Sequence, residues 1–176
     1  MNSRPCGRGL TQRSTRIALA VLLVLSHPLW AATIIVDETT CTLVDAITAA
    51  NTETATGGCP AGSGADTIEL TTDVALTAVD NHAMTDDNGL PVVTSEITIL
   101  GGGFTIKRNL TAPPFRIFAV DSAGTLALDD VTVRNGLATG FGVGGIWSEG
   151  TLNLTNSTVT ANSAPSGGPG GIYNFG

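Results

Sequence analysis

Residues 124–149 and 150–175 align without a gap, and that tandem repeat of period 26 constrains the fold more than any other feature. Gly124/Gly150, Thr125/Thr151, Leu126/Leu152, Leu128/Leu154, Thr132/Thr158 and Val133/Val159 coincide, as do Gly142/Gly168, Gly144/Gly170, Gly145/Gly171 and Ile146/Ile172, with Trp147 opposite Tyr173. A fixed period in the twenties is the signature of a solenoid, in which each unit buries its apolar face only against its neighbours. Within a unit the apolar phase gives the shape. Leu126 and Leu128 alternate as on a half-buried strand. The next apolar residue, Val131, comes three positions later, so the chain turns a corner at Asp129-Asp130, and at Thr155-Asn156 in the following unit. A second bend is expected around Asn135-Gly136, before a third strand at Gly144-Gly145-Ile146-Trp147. Three strands and their corners per coil predict an all-β, right-handed parallel β-helix whose coils stack at roughly 4.8 Å. Ser157, at the place of Val131, is the weak inward position.

Less regular coils precede the repeat. Asp66 to Val79 alternates like strand; Glu96–Leu100, Gly101–Gly103 and Phe104–Ile106 read as two strands around a corner; Phe115 to Val120 supplies another. The polar run Asp80 to Gly89 between them reads as a protruding loop. A β-sandwich would share the turn signals but does not need ungapped repeats.

The opening residues have a different character. Arg4, Arg8, Arg13 and Arg16 precede any acid, Ile17 to Leu25 is uninterruptedly apolar, Pro28 breaks the next stretch, and small residues stand at Ala31 and Ala32. Charge, apolar run and small residues in that order predict a secretory leader over 1–31, cleaved near Ala31 or Ala32. The apolar run is short for a bilayer span, and no second one occurs. Without the leader, Lys107, Arg108, Arg116 and Arg134 face all fifteen acidic residues. So acidic a chain cannot neutralise a run of phosphates, which argues against nucleic acid and anionic membrane surfaces as partners.

Cleavage leaves Cys41 and Cys59, and an even pair in an exported protein is most simply a disulfide. It would close a loop of about 19 residues, worth roughly 3 kcal/mol. A metal site is the weaker alternative, because His82 is the only histidine after the leader. Thr42-Leu43-Val44-Asp45 fits a helix capping box, and Leu43, Ala46, Ile47 and Ala50 follow on one helical face, with Asn51 as the expected stop. Thr33–Val36 ahead of it reads as a strand.

Cys41-Thr42-Leu43-Val44-Asp45-Ala46-Ile47, then Ala49-Ala50-Asn51, then the run from Cys59-Pro60 to Gly64-Ala65-Asp66-Thr67-Ile68 resembles the CSLREA domain, found at the N-terminus of bacterial secreted or surface β-helix proteins. Val44 stands where an arginine is common in that motif, and Asp45 where glutamate is common. The Gly-Gly-Ile-aromatic unit is similar to repeats of polymorphic outer-membrane proteins and autotransporter-like passengers. The resemblance implies a leader, a cap over 32–65 and a β-helix over 66–176. A solenoid's open end exposes strand edges and apolar side chains, so the cap is read as structural.

Chemistry is sparse. Asp129 and Asp130 with Arg134 are the sole candidates in the repeat for glycosidic cleavage, but neighbours on an extended strand point oppositely, and Asp and Asn are common corner residues. With His82 alone, no Ser–His–acid set can form. Asp86-Asp87-Asn88-Gly89 hints at calcium but fails the EF-hand pattern at Met84 and Ser95, so it reads as an acidic loop tip. The glycines of 140–145 come without a phosphate-loop lysine. No catalytic, cofactor-binding or metal residues are assigned, and no cofactor is expected.

What remains is surface. Stacked coils should bring the loops 137–143 and 163–169 onto one face, where solenoids bind partners. The expectation is a noncatalytic exported protein, extracellular or on the outer membrane or cell surface, acting as an adhesin-like scaffold for carbohydrate or a host or cell-surface protein. The alternative is a polysaccharide lyase or glycoside hydrolase whose catalytic residues lie outside this chain. Gly176 falls where Gly124 and Gly150 begin their repeats, so the natural protein is expected to continue.

Overall fold

The computed structural model describes residues 31–140 and 142–176, so the expected leader lies outside the described residues. Strands are numbered in chain order. The chain winds through about four turns of a parallel β-solenoid. One face is a five-stranded sheet of β1 (Thr33–Val36), β2 (Asp66–Leu70), β6 (Glu96–Leu100), β9 (Thr125–Asp129) and β12 (Thr151–Thr155), stacked in that order. The second holds β3 (Val74–Leu76), β7 (Thr105–Arg108), β10 (Thr132–Arg134) and β13 (Thr158–Thr160). The third holds β8 (Phe118–Val120), β11 (Ile146–Ser148) and β14 (Ile172–Asn174).

The register is the repeat made physical. Leu126 pairs with Leu152, Leu128 with Leu154, Val133 with Val159 and Ile146 with Ile172, each 26 residues on. Because successive coils are in register, like side chains form columns through the interior. One runs Ile34, Ile68, Ile99, Leu128 and ends on Leu154, exposed on the last coil; another runs Val74, Ile106, Val133, Val159. The corners fall where the period of two breaks, with Asp130 (φ 54°) and Asn156 (φ 50°) left-handed at the first and Asn135 (φ 64°) and Ala161 (φ 52°) at the second. Asn and Asp enter that region at lower cost than most residues, which accounts for three of these four positions; Ala161 is the exception. At the second corner Gly136 lies so close to the Gly144 carbonyl that a Cβ would overlap its oxygen. Ser157 is not merely a weak inward residue: its hydroxyl accepts from the Val131 N–H at 3.1 Å and lies within bonding distance of the Leu128 and Thr155 carbonyls.

Helix α1 (Leu43–Thr52) starts as expected, with the Thr42 side chain accepting from Asp45 N–H at 3.1 Å. The rest of the box differs from expectation. The Asp45 carboxylate accepts from the Thr42 hydroxyl (2.7 Å) and not from a backbone N–H, while Glu38 takes the Leu43 N–H at 2.8 Å. Nor does Asn51 stop the helix, which runs to Thr52 and ends on left-handed Glu53. Asn51 instead brackets the approach to β6, donating to the Val92 carbonyl and accepting from Thr94 and Ser95 N–H groups. Leu43, Ala46, Ile47, Ala49 and Ala50 are buried in the same core as the solenoid columns, against β1, β2 and β6. Cys41 and Cys59 form the disulfide, with Cα atoms 4.8 Å apart. No helix among the described residues is long and apolar enough to cross a membrane.

The turn into the cap is held by Asp37, whose carboxylate accepts from the N–H groups of Thr39, Thr40 and Cys41 at 2.7–3.1 Å. Those three donors hold its carboxyl well below the usual carboxylate range. A carboxylate depressed in the folded state stabilises it above the unfolded pKa, and that contribution fades as pH falls toward the folded value. Thermal melts should therefore show stability falling below about pH 4, and D37N should flatten that decline. An unchanged acid limb in D37N would show that other carboxylates govern it.

Candidate binding face

The segment Asp80 to Gly89 is not a protruding loop. It folds as an antiparallel hairpin of β4 (Asn81–Ala83) and β5 (Asp86–Asn88), laid over the third face of the solenoid. The reason is a cation 28 residues downstream of Asn88. Arg116 is fully buried; its Nε donates to Asn88 Oδ1 at 2.9 Å, and its Nη2 lies 3.2 Å from the Ala83 and Met84 carbonyls. Burying a guanidinium is tolerable only where its N–H groups find acceptors, and the polar hairpin supplies them for Nε and Nη2, while Nη1 has none among the described residues. Burial pushes the Arg116 pKa down, partly offset by the nearby Asp86 carboxylate.

The same contacts explain the residues read as an acidic tip. Along β5 the side chains alternate, so Asp86 and Asn88 are buried beneath the hairpin while Asp87 faces out beside His82, its Oδ1 2.9 Å from Nδ1. The acids of this run are thus divided between two faces, which is incompatible with their acting as one calcium loop. Loop 137–143 closes against the hairpin: Gly142 is so near Asp86 that a Cβ would collide with Oδ2. Loop 163–169 stacks on it, with Ala138 N–H donating to the Ser163 carbonyl (3.0 Å) and the Ser166 hydroxyl to the Thr139 carbonyl (2.7 Å). Both variable loops therefore lie on one side, as the repeat implies.

Beside them runs a column of flat side chains. On β11, Ile146 and Ser148 are buried and Trp147 points outward, in register with Ala119 on one side and Tyr173 on the other. The Trp147 and Tyr173 rings are 4.9 Å apart, about one coil step, and Phe175 completes the group at 5.0 Å from Tyr173. At the other end the Arg116 guanidinium lies 5.3 Å from the Trp147 ring. Such cation–π stacking favours arginine over lysine. Six consecutive residues, Phe115 to Val120, are buried, and the hairpin meets this run at Arg116. Glu149 accepts from Trp147 Nε1 at 3.2 Å and fixes the tilt of the indole.

The candidates for glycosidic cleavage are not brought together. Asp129 ends β9 and pairs in register with Thr155, Asp130 is the exposed left-handed corner, and Arg134 lies at the end of β10 with its Nε toward Asn135 Oδ1. Sequence reasoning noted Trp147 and Tyr173 as equivalents but missed Arg116. No protein-family model, curated protein or solved structure matches the chain.

Proposed function

We propose that this chain is a noncatalytic, exported, adhesin-like scaffold that binds carbohydrate along the outward aromatic group of Trp147, Tyr173 and Phe175, with buried Arg116 supporting it from behind. The observation that carries the reading is the outward pair Trp147 and Tyr173, one coil apart with centroids at 4.9 Å, extended by Phe175 edge-on to Tyr173 at 5.0 Å. Sugar rings present apolar C–H faces that lie flat on aromatic rings, while their hydroxyls bond to polar groups at the rim. Glu149, which accepts from Trp147 Nε1, is such a rim group. A rigid strand ladder holds the rings in place before a ligand arrives, which limits the entropy lost on binding. Export is supported by the order of charge, apolar run and small residues in 1–31, and by the buried Cys41–Cys59 disulfide. The resemblance of the cap to the CSLREA domain points the same way.

Affinity electrophoresis through gels containing individual polysaccharides tests this reading. At least one neutral or acidic polysaccharide should retard the exported protein, and Trp147→Ala or Tyr173→Ala should weaken that retardation by about tenfold or more, the loss of one stacked ring. Circular dichroism would confirm that the variants remain folded. Equal retardation of both variants would rule out the aromatic column as the contact face. New reducing or unsaturated ends in the gel would replace the scaffold by an enzyme.

A further inference from the structure

Asp66 occupies an unexpected place. In the register of the first sheet its column continues as Ile97, Leu126 and Leu152, so a carboxylate stands where every later coil has an aliphatic side chain. It is 1% exposed. Its Oδ1 accepts from Ser63 N–H at 2.7 Å and from Ala32 N–H at 3.2 Å, whereas Oδ2 has no hydrogen-bond partner among the described residues. Gly62 provides the room: a Cβ there would collide with Oδ2 and with the Ala50 Cα. An inward carboxylate in an apolar column, with one oxygen unsatisfied, is costly unless a cation or further donors reach it.

The group already at bonding distance is the Ala32 nitrogen, and Ala32 is anchored there by its own carbonyl, which accepts from Thr67 N–H at 2.8 Å. The chain changes from exposed at Ala31 to half-buried at Ala32. As a peptide nitrogen, Ala32 offers one proton and no charge. As a chain terminus it would offer three protons and a positive charge to the same carboxylate.

We infer that the bond between Ala31 and Ala32 is the maturation cleavage site, and that Asp66 is the receptor for the α-ammonium group which cleavage creates. The step is a hydrolysis by a leader peptidase of the exporting cell. Water adds across the Ala31–Ala32 amide, Ala31 leaves with the new carboxylate, and Ala32 keeps the nitrogen as an ammonium. Asp66 then closes an ion pair under the cap, and the first coil becomes more stable once the leader is gone. The inference rests on the export reading above, and it adds the cleaved bond and the residue that senses it.

The full-length chain, expressed with its leader in a bacterial host, tests this in three forms beside the parent: D66N, a Gly-Ser insertion between residues 31 and 32, and both together. Intact mass should show the exported parent beginning at Ala32. D66N and the insertion should each lower the melting midpoint by about 5 °C or more. Combined, they should lower it no further, because both remove the same ion pair. If D66N does not accumulate, the parent's α-amine serves instead: near neutral pH it should react with an amine reagent at least tenfold more slowly in the folded than in the denatured protein. A retained leader would overturn both this inference and the export reading. Cleavage at another bond, additive losses, or an α-amine that reacts equally fast folded and unfolded would overturn the inference alone.

Discussion

Arg116→Ala is expected to destabilise the protein by about 3–5 kcal/mol and to release the β4–β5 hairpin from the solenoid. The substitution removes the Nε bond to Asn88 and the contacts with the Ala83 and Met84 carbonyls, and leaves Asp86 and Asn88 buried without their cation. Domains of this size have total stabilities of roughly 5–15 kcal/mol, so the loss is a large fraction of what holds the chain folded. The effect should be local first. Amide hydrogen exchange should accelerate through 81–88 and loop 137–143 in Arg116→Ala, while the column Ile34, Ile68, Ile99, Leu128 keeps its protection at modest denaturant. Arg116→Lys should recover little, because an ammonium cannot present the planar fork that reaches Asn88 and both carbonyls while stacking on Trp147. Unchanged exchange in 81–88 would mean the hairpin is held by something other than Arg116.

The second large effect is expected from the disulfide. Replacing Cys41 and Cys59 together with alanine should cost about 3 kcal/mol, the entropy of a loop whose ends are 18 residues apart. Both cysteines are buried beside Leu43, so the cap's packing and the bond between its ends should fail together. Urea midpoints for the parent and the double variant, and for the parent with and without reductant, measure this directly. The reductant arm should act slowly, since the sulfurs are shielded until the cap opens. A midpoint unchanged by the double substitution would show that α1 holds its place by packing alone.

Much of the solenoid was legible because periodicity is a local property of the sequence. The step of three between Leu128 and Val131 placed the first corner, and the 26-residue alignment set Leu126 beside Leu152, as the strand register has it. The helix start was equally readable, since Thr42 and Asp45 are three residues apart and meet within one turn. The hairpin was not. Its polar residues resemble solvated loop residues in any short window, and only Arg116, far along the chain, makes their burial favourable. Asp66 failed to stand out for the same reason. Read along the strand, Asp-Thr-Ile-Glu-Leu begins with an ordinary polar residue, and only the neighbouring coils reveal that the position belongs to an aliphatic column. Half of the candidate face could be read: the Trp147–Tyr173 equivalence was visible, while the arginine behind Trp147 comes from a part of the chain outside the repeat.

The Asn51 bracket has a consequence for the order of events in a chain that emerges N-terminus first. Its partners, the Val92 carbonyl and the Thr94 and Ser95 N–H groups, lie 41 to 44 residues further on. Until that stretch has emerged, the helix end has no clamp and the first coil has no β6 to rest on. The disulfide closes a much shorter span and can form earlier. A vectorially delivered chain would thus acquire its covalent knot first and its cap geometry later, when the second coil arrives to receive it.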